Sequence, residues 1–248
     1  MKALERFTKK RFKCLQAFLK SFSNKNEGEE LHQIRLEIKK IKALLRLIHF
    51  NRKKFKDHKY FTKFRTIFRQ TGNIRDTDLR KKLLHQYTQI QAPAFSSNDH
   101  ALKLFRNHLP KHLKAVSKLE KIVGKEIKKV KSHTYSLYLF KKNQELSDIL
   151  SEGLSQKDLH GLRKLIKEAI YLTSMSKKKR EIDPFLIKSS GLIGNWHDKK
   201  NLILWIRSHA SKEKATIRTL QTESNRDIQT LRKLVRKYHA TSSSFLVK

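Results

Sequence analysis

Between Leu31 and Phe50 the apolar residues Leu31, Ile34, Ile38, Ile41, Leu45 and Ile48 recur at steps of three and four. That spacing predicts a helix with one buried face. One residue after each comes a basic residue: His32, Arg35, Lys39, Lys42, Arg46 and His49. Neighbouring residues differ by about 100° around an α-helix, so the basic stripe flanks the apolar one instead of opposing it. Ionised side chains at the margin of a core need compensation, because burial strips their hydration. The same offset recurs elsewhere. Phe61, Phe64 and Phe68 read as a core stripe with Arg65 and Arg69 beside the last two. Leu102 and Phe105 precede Lys103 and Arg106, while Leu231, Val235 and Tyr238 precede Arg232, Arg236 and His239.

Periodicity along the rest of the chain predicts helices over about 2–22, 56–71, 75–90, 98–132 (interrupted or bent near Pro110), 135–152, 157–175, 183–193, 196–209 and 211–239. Ser23 to Asn26, Ala92-Pro93 and Gly153 to Gln156 read as breaks, Lys177 to Arg180 as a solvated connection, and 241–248 as a frayed tail. Gly72-Asn73 reads as a helix stop. Asp76 and Asp198, each following a Gly-Asn pair, read as N-terminal caps or partners of a neighbouring Arg. Trp196 and Trp205 read as core residues.

The motifs repeat. Leu31-His32-Gln33-Ile34-Arg35 with Lys39 matches Leu159-His160-Gly161-Leu162-Arg163 with Lys167 at an offset of 128. Gly72-Asn73-Ile74-Arg75-Asp76 matches Gly194-Asn195-Trp196-His197-Asp198 at an offset of 122. Two ordered matches at nearly one offset point to duplicated halves, 28–132 and 133–240, of about four helices each. The expected architecture is all-α, two pseudo-symmetric fused four-helix bundles with a basic central cavity or groove.

Composition agrees with an all-helical reading. Leu occurs 33 times against 5 Val, and Gly and Pro number 7 and 3, a poor balance for sheets and tight turns. The single Cys14 excludes an internal disulfide and fits a reducing, cytoplasmic setting. No apolar run reaches the roughly 20 residues of a membrane span, so no membrane insertion is expected. The basic N-terminal stretch lacks the apolar segment of a secretory signal.

Charge changes the picture most. Lys and Arg number 58 against 22 Asp and Glu, a formal net charge of +36. Repulsion of that size opposes compaction unless anions gather around the chain. There are too few carboxylates to serve the basic stripes, so the sequence predicts a polyanionic partner. If the core faces pack together, their basic edges line a common groove. There Arg offers a planar fork for phosphate oxygens and Lys a mobile point charge. Catalytic signals are scarce. No stretch has the spacing of a phosphate-binding loop, no His, Cys and carboxylate cluster suggests a metal, and paired carboxylates for catalytic metals are missing. Neither an enzyme nor a cofactor is expected.

His32-Gln-Ile-Arg35-Leu-Glu-Ile-Lys39-Lys40-Ile-Lys42 and Gly72-Asn-Ile-Arg75-Asp76-Thr-Asp78-Leu79 together resemble the CHAD family, the conserved histidine α-helical domain. Leu159-His160-Gly-Leu-Arg163-Lys-Leu-Ile-Lys167 with Tyr171, and Gly194-Asn-Trp-His197-Asp198, resemble its second-half motifs. The resemblance spans about 28–240, making the whole chain a single CHAD domain. It implies two pseudo-symmetric bundles around a basic cavity that binds inorganic polyphosphate, with association to polyphosphate granules. Carried over by position, the ligand contacts are His32, Arg35, Lys39, Lys42, His160, Arg163 and Lys167. Arg46, Arg65, Arg69, Arg75, Arg232 and Arg236 join them from the stripe pattern. The second copy departs from the first, with Glu168 and Ile170 at the positions of Lys40 and Lys42. The alternative is sequence-independent binding of RNA or DNA, which needs accessible aromatics or groove-fitting elements.

Overall fold

The structure is a computed structural model that describes residues 2–22, 27–87, 98–151, 154–155, 157–175, 182–210 and 213–242. The expected breaks at 23–26 and Ala92-Pro93, the connection at 177–180 and the tail from 243 onward lie outside the described residues, as do 152–153 and 156 of the Gly153–Gln156 link. Among the described residues there are eight helices and no strand: α1 (Lys2–Ser21), α2 (Glu27–Asn51), α3 (Asp57–Tyr87), α4 (Asp99–Ile127), α5 (Ser132–Ser151), α6 (Leu159–Thr173), α7 (Pro184–His209) and α8 (Lys214–Ser242). No described helix is long and apolar enough to cross a membrane.

Two expected helix boundaries vanish. Gly72-Asn73 does not end a helix; α3 runs through it, merging the segments expected at 56–71 and 75–90. Likewise α7 runs through Gly194-Asn195 and merges 183–193 with 196–209. Asp76 and Asp198 therefore sit inside helices and cap nothing. The apolar steps explain why: Phe64, Ile67, Thr71 and Ile74 are all buried and carry one face straight past Gly72. A glycine lowers helix propensity by about 1 kcal/mol, which a continuous buried face outweighs. Pro110 is also inside a continuous helix, α4, at an exposed position.

The chain divides into two compact units. The first contains α1, α2, α3 as far as Lys82, α4, and α5 as far as Tyr138. Its centre is the α2 stripe, with Leu31, Ile34, Ile38, Ile41 and Leu45 at 0% exposure, so the predicted buried face is the observed one. Phe12, Leu15 and Leu19 of α1, Phe64 of α3 and Phe105, Val116 and Val123 of α4 are buried in the same unit. Each such burial contributes about 1.5–3 kcal/mol. Aromatic contacts join the helices, Phe12 to Phe64 at 6.4 Å and Phe22 to Phe105 edge-on at 5.1 Å between centroids. At the end of α2, His49 Nδ1 donates to the Phe55 carbonyl at 2.6 Å and so holds the turn into α3.

The second unit contains α6, α7, α8, α5 from Leu139 onward, and residues 83–87 of α3. Its core gathers Leu146 and Leu150, Leu159, Leu162 and Ile166, Phe185, Ile193 and Trp196, and Ile228, Leu231 and Val235. Asp183 caps α7, accepting from the Phe185 amide at 2.8 Å with Pro184 at the first helical position. Tyr87, at the end of α3, donates to Glu223 on α8. Lys199 of α7 pairs with Glu223 at 3.2 Å and Asp227 at 2.9 Å. Of the two tryptophans, Trp196 is core as expected. Trp205 is not; it is half-buried and stacked on His209 at 4.7 Å with 7° between the rings.

Candidate phosphate-binding faces

In the first unit the basic stripe of α2 lies against one side of α3. Arg35, Lys39, Lys42 and Arg46 are half-buried, as a flank position requires, while His32 is exposed. The Arg35 guanidinium sits 4.2 Å above the Phe68 ring, and its Nη1 donates to the Phe68 carbonyl at 2.7 Å. Lys39 Nζ shares the same ring at 5.9 Å, and Lys42 Nζ lies 4.4 Å above Phe61. Cations over ring faces gain about 0.5–2 kcal/mol from the ring quadrupole. Phe61 and Phe68 are thus half-buried platforms, and of the expected aromatic stripe Phe64 alone is fully core. The error has a geometric source: Phe64, Ile67, Thr71 and Ile74 form the buried line, leaving Phe61 and Phe68 at its edge.

Arg35 also feels its surroundings. Burial lowers its pKa, Asp76 opposes that and Arg75 adds to it, so Arg75 stands close enough for its charge to register. Arginine remains charged through such shifts. Arg65 and Arg69 are exposed on α3. Arg75 lies 4.0 Å from Asp76.

In the second unit the motif residues of α6 meet those of α7. The rings of His160 and His197 lie 5.6 Å apart, and Lys200 Nζ stands 5.0 Å from the Trp196 ring. His160 is exposed, yet its pKa is lowered, first by partial desolvation and then by Lys164 and Arg163. Arg163 and Lys167 are half-buried. Arg163 Nε is buried without a hydrogen-bond partner. Arg232 and Arg236 are exposed on α8, and Arg232 Nη2 reaches the Leu154 carbonyl at 3.4 Å. The structure therefore gathers Arg35 and Lys39 around Phe68, with Lys42 on the neighbouring Phe61 and the charge of Arg75 felt at Arg35. His160, Arg163 and His197 gather beside Gly194. Among the described residues, no hydrogen bond, ion pair or ring contact ties Arg65, Arg69, Arg232 or Arg236 to either group.

Several polar residues have roles that sequence reading missed. Glu37, at 3% exposure, accepts from Arg11 and Lys40, both at 2.8 Å, within the α1–α2 interface. A carboxylate one step before a core residue on a basic helix is a weak signal of that role. Gln70 bridges two histidines of α4: His112 Nε2 donates to Gln70 Oε1 at 2.9 Å, and Gln70 Nε2 donates to His108 Nδ1 at 2.9 Å. Burial, His108 and Lys111 push His112 down to about 4. Among the described residues, no group of three or more His, Cys, Asp or Glu is placed to hold a metal ion.

An all-helical fold with motif cations grouped on helix faces defines the class, and comparison defines the family. The chain matches the CHAD domain over residues 8–131, half its length, and it belongs to the CHAD domain family. The match takes in α1, ahead of the expected start near 28. The chain is also similar to the crystal structure of the CHAD domain from the plant Ricinus communis, with a TM-score of 0.63 and 13% identity, covering 95% of this chain and 91% of that one. At that identity the likeness establishes the fold alone. No curated protein matches the chain in sequence.

Proposed function

We propose that this CHAD domain is a non-catalytic module that binds inorganic polyphosphate. The observation that carries the proposal is the alignment of Arg35, Lys39 and Lys42 on the aromatic faces of Phe68 and Phe61. This arrangement orients three cations along one helix flank. Positions 35, 39 and 42 span about 10 Å of helix at 1.5 Å per residue, enough for several linked phosphates to lie along them. Arg75 adds to the same group, and Arg163 and Lys167 supply the corresponding cations of the second unit, where His160 joins them by taking up a proton as a polyanion binds. In a chain of net charge +36, a linear polyanion also relieves self-repulsion.

Calorimetric titration tests this directly. Polyphosphate of about 100 phosphates is expected to bind far more tightly per chain than orthophosphate, because a long ligand engages many cations at once. Equal affinity per phosphate for the two would defeat the proposal. Competition decides against nucleic acid: polyphosphate at equal phosphate concentration should displace single-stranded RNA, and RNA should fail to displace polyphosphate. Phosphate release from polyphosphate on incubation with the protein would reveal turnover instead.

A further inference from the structure

Gly72 and Gly194 each lie against the motif arginine of their own unit. A Cβ built on Gly72 would stand 2.5 Å from Arg35 Nη1, and one built on Gly194 would stand 3.3 Å from Arg163 Nη2. Both glycines are buried and both lie in the middle of a long helix, where glycine is disfavoured for the helix itself. At Gly28, Gly124, Gly161 and Gly191 an added Cβ would meet nothing within 4 Å, so among the described glycines close approach by a guanidinium is particular to these two positions. Phe68 and Gly72 are one turn apart. The Arg35 guanidinium therefore lies across that turn, bonded to the Phe68 carbonyl and occupying the space above the Gly72 α-carbon.

We infer that Gly72 and Gly194 are positioning residues for anion binding, each a notch in its helix that seats the motif arginine and sets where its fork points. The two notches are not equally tight. Arg35 is fixed by a carbonyl bond, a ring face and the 2.5 Å clearance. Arg163 has a looser 3.3 Å clearance and a buried Nε that bonds to nothing. The first unit accordingly presents a pre-set arginine, and the second an arginine whose direction the ligand completes. This inference rests on the polyphosphate reading for its ligand but not for its geometry.

The test compares Gly72→Ala, Gly194→Ala, Arg35→Ala and the double variant Gly72→Ala/Arg35→Ala. Two readouts are used: titration with polyphosphate of about 100 phosphates, and the Arg35 Nε–H NMR resonance of the ligand-free protein. Gly72→Ala is expected to weaken binding about tenfold or more, close to Arg35→Ala, as loss of one charge-assisted contact would. Gly194→Ala should weaken it less, about two- to threefold, because a few tenths of an ångström of adjustment suffices there. In the Arg35→Ala background Gly72→Ala should cause no further loss, and that variant has no clash to disturb folding. Wild-type affinity in Gly72→Ala, or a full additional loss in the double variant, would overturn the inference. The ligand-free resonance separates the two ideas. If wild-type protein fails to bind polyphosphate, the functional reading falls, while a shifted Arg35 resonance in Gly72→Ala still supports the notch. An unshifted resonance overturns the notch whatever the ligand does.

Discussion

Single side chains set how this protein responds to pH. His112 is 5% exposed and bonded to Gln70 as the neutral ring, with its pKa pushed down to about 4 from an ordinary 6.5. A histidine depressed on folding binds its proton more readily in the unfolded chain, so stability falls as pH drops from about 6.5 to about 4 and levels off below that. Urea midpoints should therefore move to lower concentration across this window, by an amount worth on the order of 2 kcal/mol for this residue. His112→Leu should start less stable, since Gln70 loses a partner, and show a flatter pH dependence. His160 predicts the opposite trend for binding. Its pKa is depressed in the free protein by desolvation, Lys164 and Arg163, and a bound polyanion would raise it. Binding then takes up a proton, so polyphosphate affinity should rise as pH falls through the histidine range, and His160→Gln should reduce that rise.

At the scale of helices, the α1–α2 and α2–α3 contacts separate stability from binding. Glu37 joins α2 to Arg11 of α1 and to Lys40 from a site at 3% exposure. Glu37→Ala leaves two cations facing each other in a partly buried interface, and is expected to cost on the order of 2–3 kcal/mol in urea unfolding. Phe64→Ala opens a cavity in the core and should cost about 3–5 kcal/mol. Phe68→Ala removes an edge platform instead. It should cost less stability than Phe64→Ala yet weaken polyphosphate binding more, because Arg35 and Lys39 lose the ring beneath them. Calorimetry and thermal melts on the pair would expose the contrast. Helix existence was legible in the one-dimensional spacing, but two helix ends were not. Gly72 and Gly194 look like stops to any rule that weighs residue type, yet each lies mid-helix against an arginine, 37 and 31 positions earlier respectively.

For the whole molecule, charge dominates. With 58 basic and 22 acidic residues, the folded chain repels itself over distances that salt screens, since the Debye length shrinks to about 8 Å near 0.15 M. The thermal midpoint is expected to rise with added salt at low ionic strength, and the proposed binding of polyphosphate to the native state predicts a further rise at micromolar polyphosphate. Polyphosphate affinity should fall steeply and log-linearly with salt. A salt-independent affinity would mean that few of the motif cations touch the ligand.

Whatever depends on neighbours along the chain was legible in the sequence: the all-helical class, the buried stripe of α2, the basic stripe at its edge, and the net charge of +36. Periodicity and charge are properties of the chain as a line, so they survive without coordinates. Tertiary structure alone decided which side chains meet across helices. It turned Phe61 and Phe68 from core into platforms, gave Glu37 to Arg11, gave His112 to Gln70, and set Arg35 into the notch at Gly72. Each is a contact between residues far apart in sequence. Its geometry depends on how two helices rotate against one another, which the spacing within either helix does not specify.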